Sequence, residues 1–147
     1  MRTYPHTRYV HAVVSQMNTA GLTINEFHGG GPLPGSTGEG MWAKLVVSPT
    51  APALTKPWHD PLSDSISIHW GEVTGWWVER HNRTRKEVAT EWIGAEVAPA
   101  PRTLATLVVA AVSSMHHRPR RTPPPIYRKR TRHTDVAFER TLAALGK

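Results

Sequence analysis

The residues most able to do chemistry lie in one segment near the C-terminus, HHRPRRTPPPIYRKRTRH, residues 116–133, which we name the arm. The arm holds seven Arg and Lys, three His, four Pro and no Asp or Glu. Guanidinium and ammonium groups neutralise phosphates, and an aromatic ring beside them can stack on a base. The residues predicted to bind nucleic acid are Arg118, Arg120, Arg121, Tyr127, Arg128, Lys129, Arg130 and Arg132.

The net charge of the chain is concentrated near the arm. Residues 1–115 contain nine Lys or Arg and nine Asp or Glu, whereas residues 116–147 contain nine and two, which accounts for the whole net charge of +7. A basic tail on a neutral domain either binds a negatively charged partner or is a solvated segment without a binding role. We therefore expect sequence-independent contacts with the DNA or RNA backbone. Two alternatives stay open, a polyproline stretch at 122–125 that docks on a protein partner and a solvated linker.

The sequence lacks the residues or motifs of several kinds of reactive site. The chain has no Cys, so disulfides, thiol nucleophiles and Cys-based zinc sites are excluded. No HExxH or GxSxG motif occurs, and the glycine-rich segment 28–40 lacks the Lys of a phosphate-binding loop. We therefore predict no catalytic, metal or cofactor-binding residues and favour a non-enzymatic function. A site assembled in space from scattered Ser, His and Glu stays open.

The apolar segments are too short for a membrane protein. The longest, LATLVVAAV at residues 104–112, falls well short of the roughly 20 residues that a spanning helix needs. The N-terminal residues lack the uninterrupted apolar run of a signal peptide. We expect a cytoplasmic protein without a membrane partner.

The periodicity of apolar residues predicts the elements that must position these groups. Val10, Val13 and Met17 lie on one face of a helix over 7–20, with Thr7 as its N-cap and Gly21 beyond its end. Residues 28–40, with six Gly and two Pro, are predicted to form a loop. Strands are predicted over residues 22–27, 41–48, 65–70, 75–82 and 87–94, with a hairpin between the third and fourth.

A second helix over 101–115 has the most regular apolar stripe, and a short helix over 134–145 carries Phe138, Leu142 and Leu145. A helix of that length is marginal alone, so it must dock or fray. The fold class is therefore α+β, an antiparallel sheet of about five short strands flanked by two helices. The predicted organisation is a domain at 1–115, the arm at 116–133 and a short helix at 134–147.

Tryptophans dominate the predicted sheet. Trp70 and Trp92 are expected on the buried face, against the Leu104, Leu107 and Val108 stripe of the second helix. Neighbouring Trp76 and Trp77 must point to opposite faces, so one of them is covered by a helix or is a contact residue. The alternative function is therefore a protein-interaction adaptor that recognises a partner through the Trp-rich sheet and the polyproline stretch.

The spacing around this hairpin resembles a family of small actinobacterial proteins known as a domain of unknown function. The resemblance covers residues 7–115 and rests on Trp70 with Gly75-Trp76, Trp92-Ile93-Gly94, Pro99-Ala100-Pro101, and Arg8-Tyr9-Val10 in the first helix. The chain departs from that pattern in a less acidic turn before Gly75 and in longer loops at 28–40 and 49–63. The resemblance implies a fold and carries no activity or catalytic residue.

Overall fold

The computed structural model describes residues 6–31, 40–54, 60, 62–93, 96–114 and 136–146. Its elements are α1 (Thr7–Thr19), β1 (Ile24–Gly30), β2 (Trp42–Val47), β3 (Asp64–Gly71), β4 (Gly75–Asn82), β5 (Glu87–Ile93), α2 (Pro101–Ser114) and α3 (Val136–Leu145). The strands form one antiparallel sheet in sequence order, which confirms the α+β class. Of the helices in these ranges, none combines the length and the hydropathy needed to cross a bilayer.

Helix α1 ends as its sequence predicts and begins differently. Gly21 has φ of +91°, a conformation that glycine adopts without penalty. The Leu22 N–H donates to the Met17 carbonyl (2.9 Å) and so satisfies an orphan group of the last turn. The predicted cap at Thr7 is wrong, because the N-cap is His6 and its side chain makes no capping bond. The His6 ring instead lies 2.9 Å from the Trp42 carbonyl oxygen.

The glycine-rich segment is partly strand, which corrects the prediction of a loop over 28–40. His28, Gly29 and Gly30 continue β1 and pair with β2. A Cβ on Gly30 would lie 2.6 Å from Nε1 of Trp42, so glycine leaves the space that this indole occupies. Residues 32–39 lie outside the described residues.

The hairpin of β3 and β4 follows the predicted alternation. Gly71 pairs with Gly75 across a short turn, and Ile66, Ile68 and Trp70 all point into the core. Adjacent Trp76 and Trp77 point to opposite faces, as predicted, because side chains alternate along a strand.

Three buried aromatic residues form the centre of the core, on the face of the sheet that the helices cover. The rings of Tyr9, Trp70 and Trp76 have centroids 6.1–6.3 Å apart. The Tyr9 hydroxyl donates to the Pro99 carbonyl (2.6 Å) and accepts from Nε1 of Trp76 (3.1 Å). Nε1 of Trp70 donates to the Val97 carbonyl (2.8 Å). Burial raises the pKa of Tyr9, so its hydroxyl keeps its proton and remains a donor.

The predicted positions of Trp92 and Leu107 are wrong. Trp92 pairs with Trp77, so it lies on the face opposite the helices, and its neighbour Ile93 enters the core. Leu107 is 38% exposed. The buried stripe of α2 includes two small residues and consists of Leu104, Ala105, Val108 and Ala111. Alanine lets a helix approach its neighbour closely, and α2 packs against α1 and β5.

The C-terminal helix docks, which the sequence left open. α3 packs against α1, and Leu142 is fully buried. The Phe138 ring stacks on Trp70 with centroids 6.4 Å apart and planes 14° apart. Docking supplies the tertiary contacts that a helix of ten residues needs. The division at 1–115, 116–133 and 134–147 stays a prediction, but α3 shares the core of the sheet.

Changing Tyr9→Phe should lower the free energy of unfolding by about 1–3 kcal/mol. The ring packing is retained, while the buried Trp76 N–H and the Pro99 carbonyl lose their partner. Urea unfolding followed by tryptophan fluorescence measures the change. The control is Thr106→Ala on the exposed side of α2, which should stay within about 0.5 kcal/mol of the parent. Equal stabilities of the two variants would contradict the role given to the hydroxyl.

Candidate functional site

The residues predicted from the sequence to bind nucleic acid lie outside the described residues. They are Arg118, Arg120, Arg121, Tyr127, Arg128, Lys129, Arg130 and Arg132. The description reaches Ser114 and resumes at Val136. The site that the described geometry offers is the side of the sheet opposite the helices, which we name the open face.

The open face combines aromatic, imidazole and charged side chains. The strand registers place on it Glu26 and His28 (β1), Trp42, Lys44 and Val46 (β2), Ser65, Ser67 and His69 (β3), Trp77, Glu79 and His81 (β4), and Val88, Thr90 and Trp92 (β5). An antiparallel sheet often covers one face with helices and leaves the other in water. Here the solvated side includes large apolar residues, since Trp42 is 39% and Val88 46% exposed.

An aromatic stack crosses three strands of the open face. The rings of His69 and Trp77 have centroids 5.1 Å apart and planes only 8° apart. Trp77 and Trp92 follow at 4.9 Å with a tilt of 42°. Both spacings are close to the separation of neighbouring strands, so the rings overlap in a row that ends at Trp92 on the edge strand.

Glu79 gathers the polar groups beside this stack. Its Oε2 accepts from Nε2 of His81 at 3.0 Å and lies 3.3 Å from Nε2 of His69. Its Oε1 accepts from Nε1 of Trp77 at 3.2 Å. Ser67 places its hydroxyl oxygen 2.8 Å from the same nitrogen of His69. Each aromatic or imidazole N–H that reaches Glu79 orients its ring. These contacts therefore hold the rings of the stack in place.

The protonation states follow from burial and from these bonds. Burial lowers the pKa of His69; the carboxylate of Glu79 opposes this shift, and the charge of Lys44 adds to it. Burial alone would raise the pKa of Glu79, but hydrogen bonds from His81 and Trp77 together with the two histidine charges outweigh it. The pKa of Glu79 therefore lies below its ordinary value, and at neutral pH a neutral His69 faces an ionised carboxylate.

Ser67, His69 and Glu79 have the residue types of a catalytic triad without its geometry. In a triad the carboxylate binds one imidazole nitrogen and the nucleophile the other. Here both the serine and the glutamate lie at Nε2. One nitrogen cannot both donate to Glu79 and accept the proton of Ser67, so the arrangement differs from that of a triad.

The described residues also lack an evident metal centre. Across 6–31, 40–54, 62–93 and the described helices, no group of three or more His, Asp or Glu is placed to hold a metal ion. His69 and His81 both contact the carboxylate of Glu79.

Sequence reasoning left open a site assembled from scattered Ser, His and Glu but did not identify the cluster of His69, Glu79 and His81. The signal was present in the hairpin. A turn closed by Gly71 and Gly75 places residue 69 opposite 77 and residue 67 opposite 79. The contribution of Trp92 could not be seen in this way, because it depends on which face β5 presents.

Acidification should destabilise the protein, and His69 should account for part of the loss. The pKa of His69 is below 6.5 in the folded state, so the unfolded chain binds the proton first. Its contribution is fully present above that pH and is lost as pH falls toward the folded-state pKa. The loss is at most about 1.4 kcal/mol per pH unit. His69→Gln removes this group and should make the decline shallower.

Urea unfolding between about pH 7.5 and about pH 5.5 compares the two proteins on this point. His6, whose pKa burial also lowers, is present in both, so the difference isolates His69. Parallel declines in the parent and the variant would show that His69 does not titrate differently on folding.

Comparisons with protein-family models, with curated proteins and with solved structures find no match. The resemblance to the actinobacterial family therefore stays a prediction.

Proposed function

We propose that this protein is a non-enzymatic nucleic-acid-binding module of the cytoplasm whose arm makes sequence-independent contacts with the DNA or RNA backbone. The observation that carries the proposal is the distribution of charge. Residues 1–115 are neutral overall, and residues 116–147 hold the entire excess of +7. Cations concentrated in this way release counterions from a polyanion when they bind it.

The open face supports the same function. Proteins that bind single strands combine a cationic path for the backbone with aromatic side chains for the bases. The face carries the His69–Trp77–Trp92 stack and an indole at Trp42 that is 39% exposed. Lys44 lies in register between His28 and His69. Stacking tolerates any base, which suits contacts without sequence preference.

The proline run sets how many cations of the arm reach phosphates together. Pro123, Pro124 and Pro125 favour an extended backbone and separate the cations at 118–121 from those at 128–132. Three to six simultaneous contacts correspond to a slope of log K against log salt of about −3 to −5 on duplex DNA.

Changing Arg128, Lys129 and Arg130 together to Ala should weaken binding to all sequences about equally, because phosphate contacts carry no base information. The salt slope should become shallower by up to about three. Fluorescent random duplexes and single strands of DNA and RNA, titrated at several salt concentrations, measure both effects. The control is Arg102→Ala, which removes an exposed cation from α2.

Two outcomes of the same titrations would overturn the proposal. Unchanged affinity in the triple variant would remove the arm as the site. Absence of binding by the intact protein even at low salt would remove nucleic acid as the partner.

A second candidate is a protein-interaction adaptor, and one observation favours it. The open face exposes large apolar side chains, Trp42 at 39% and Val88 at 46%, beside two further tryptophans. Aromatic residues are enriched where proteins bind one another. In this case the polyproline stretch at 122–125 and the open face recognise one partner.

The two functions differ in their salt dependence and in the residues that matter. Capture of a partner from host lysate, with and without nuclease, separates them. A partner that survives nuclease, resists salt and is lost on Trp42→Ala would support the adaptor. A partner that disappears with nuclease supports nucleic acid.

A further inference from the structure

A cleft of about 500 Å³ lies at one end of the sheet, away from the aromatic stack. It is bounded by the segment before β3, the end of β4 and the turn into β5. Its lining includes Leu62, Ser63, Arg83, Lys86, Glu87 and Val88. Two residues of the open face, His81 and Val88, also line this cleft, whereas the rings of the aromatic stack do not.

Buried polar contacts hold the floor of the cleft in place. The carboxylate of Asp64, almost fully buried, accepts from Nδ2 of Asn82 (2.7 Å) and from the backbone N–H of Asp60 (2.9 Å), and lies 3.5 Å from Nε of Arg80. The amide oxygen of Asn82 in turn accepts from the backbone N–H of Arg85 (2.8 Å). The negative charge of Asp64 is thus compensated inside the protein.

The turn between β4 and β5 is tied to the opposite wall. The Arg83 N–H donates to the Ser63 carbonyl (2.8 Å), and the hydroxyls of Ser63 and Thr84 lie 2.8 Å apart. The walls are therefore positioned before any ligand arrives, which reduces the entropy lost on binding.

The unpaired charged side chains at the rim of the cleft are positive. The side chains of Arg83 and Lys86 are exposed, and neither has an ion-pair partner within the described ranges. Glu87 also lines the cleft, and its carboxylate lies 3.8 Å from Nε of Arg85. Two unpaired cations over a floor whose carboxylate is compensated attract an anion.

The backbone at the rim supports a role for Lys86. Its φ of +52° is the only positive value at a non-glycine residue within the described chain. That conformation costs about 1 kcal/mol or more for a residue with a Cβ, and such strain clusters at ligand sites. A glycine there would be unstrained but would carry no charge.

From these observations we propose that the cleft binds one nucleotide unit, with its phosphate between Arg83 and Lys86. Leu62, 87% exposed, and Val88, 46% exposed, supply apolar surface for the sugar or base. The proposal rests on the proposed function, since the unit would belong to the bound nucleic acid. The same chemistry fits a free nucleotide, and the test separates these two sources.

Amide chemical shifts of the isotope-labelled intact protein, followed during titration with thymidine monophosphate, provide the test. Thymidine and inorganic phosphate serve as partial ligands. Signals of the turn at 83–87 should move with the monophosphate and less with either part. The double variant Arg83→Gln with Lys86→Gly should bind the monophosphate at least about fivefold more weakly. The control Arg102→Gln should bind it like the parent.

A folding defect would not explain weaker binding by the Lys86 variant. Lys86→Gly alone relieves the positive φ, so the variant should be at least as stable as the parent while binding more weakly. Equal affinity of the parent and Lys86→Gly, or no shifts in the turn, would overturn the cleft as a site. Neither result affects binding by the arm, which the duplex titrations measure separately.

Short single-stranded oligonucleotides identify the source of the nucleotide. If the cleft takes part of a bound strand, the double variant should lose at least about threefold in oligonucleotide affinity at low salt. Monophosphate binding without any oligonucleotide binding by the intact protein would overturn the proposed function and the strand-bound unit, leaving a site for free nucleotides.

Discussion

The structure depends on satisfying the polar atoms of three large aromatic residues that are buried together. Indole and phenol groups bury much apolar surface, but each brings an N–H or O–H that must find a partner out of water. Tyr9 links α1 to Trp76 of the sheet and to the Pro99 carbonyl, and Trp70 binds the Val97 carbonyl. The segment before α2 is thereby fixed to the sheet, and the start of α2 with it. Phe138 of α3 stacks on the same Trp70.

This arrangement also explains why none of the described helices covers the other face of the sheet. All three described helices meet around the Tyr9, Trp70 and Trp76 cluster, so their apolar stripes are used on one side of the sheet. The opposite side can then carry polar and aromatic residues together. The side chains of this face are held in place by Glu79, which accepts hydrogen bonds from His81 and Trp77, and by the stacking of rings on adjacent strands.

The proposed sites differ in their chemistry. The arm supplies charge, the open face supplies aromatic surface, and the cleft joins two cations to a small apolar wall. Each suits a different part of a nucleic-acid strand, namely the backbone at long range, the bases, and one nucleotide. Non-specific association would be governed mainly by the arm, because electrostatic attraction acts over about a Debye length. Contacts on the folded domain act only at short range.

The sequence by itself determined the α+β class, the hairpin, the opposed directions of Trp76 and Trp77, and the concentration of the net charge in residues 116–147. These depend on local periodicity and on charge, which need no knowledge of distant residues. Only the tertiary structure decided that Trp92 faces outward, that Leu107 is exposed, that Gly30 belongs to a strand and that α3 docks. Those outcomes depend on the register between strands and on which side of a helix meets the core. Trp92 and Ile93 are both apolar, so their order along β5 could not show which one enters the core; pairing of Trp92 with Trp77 did.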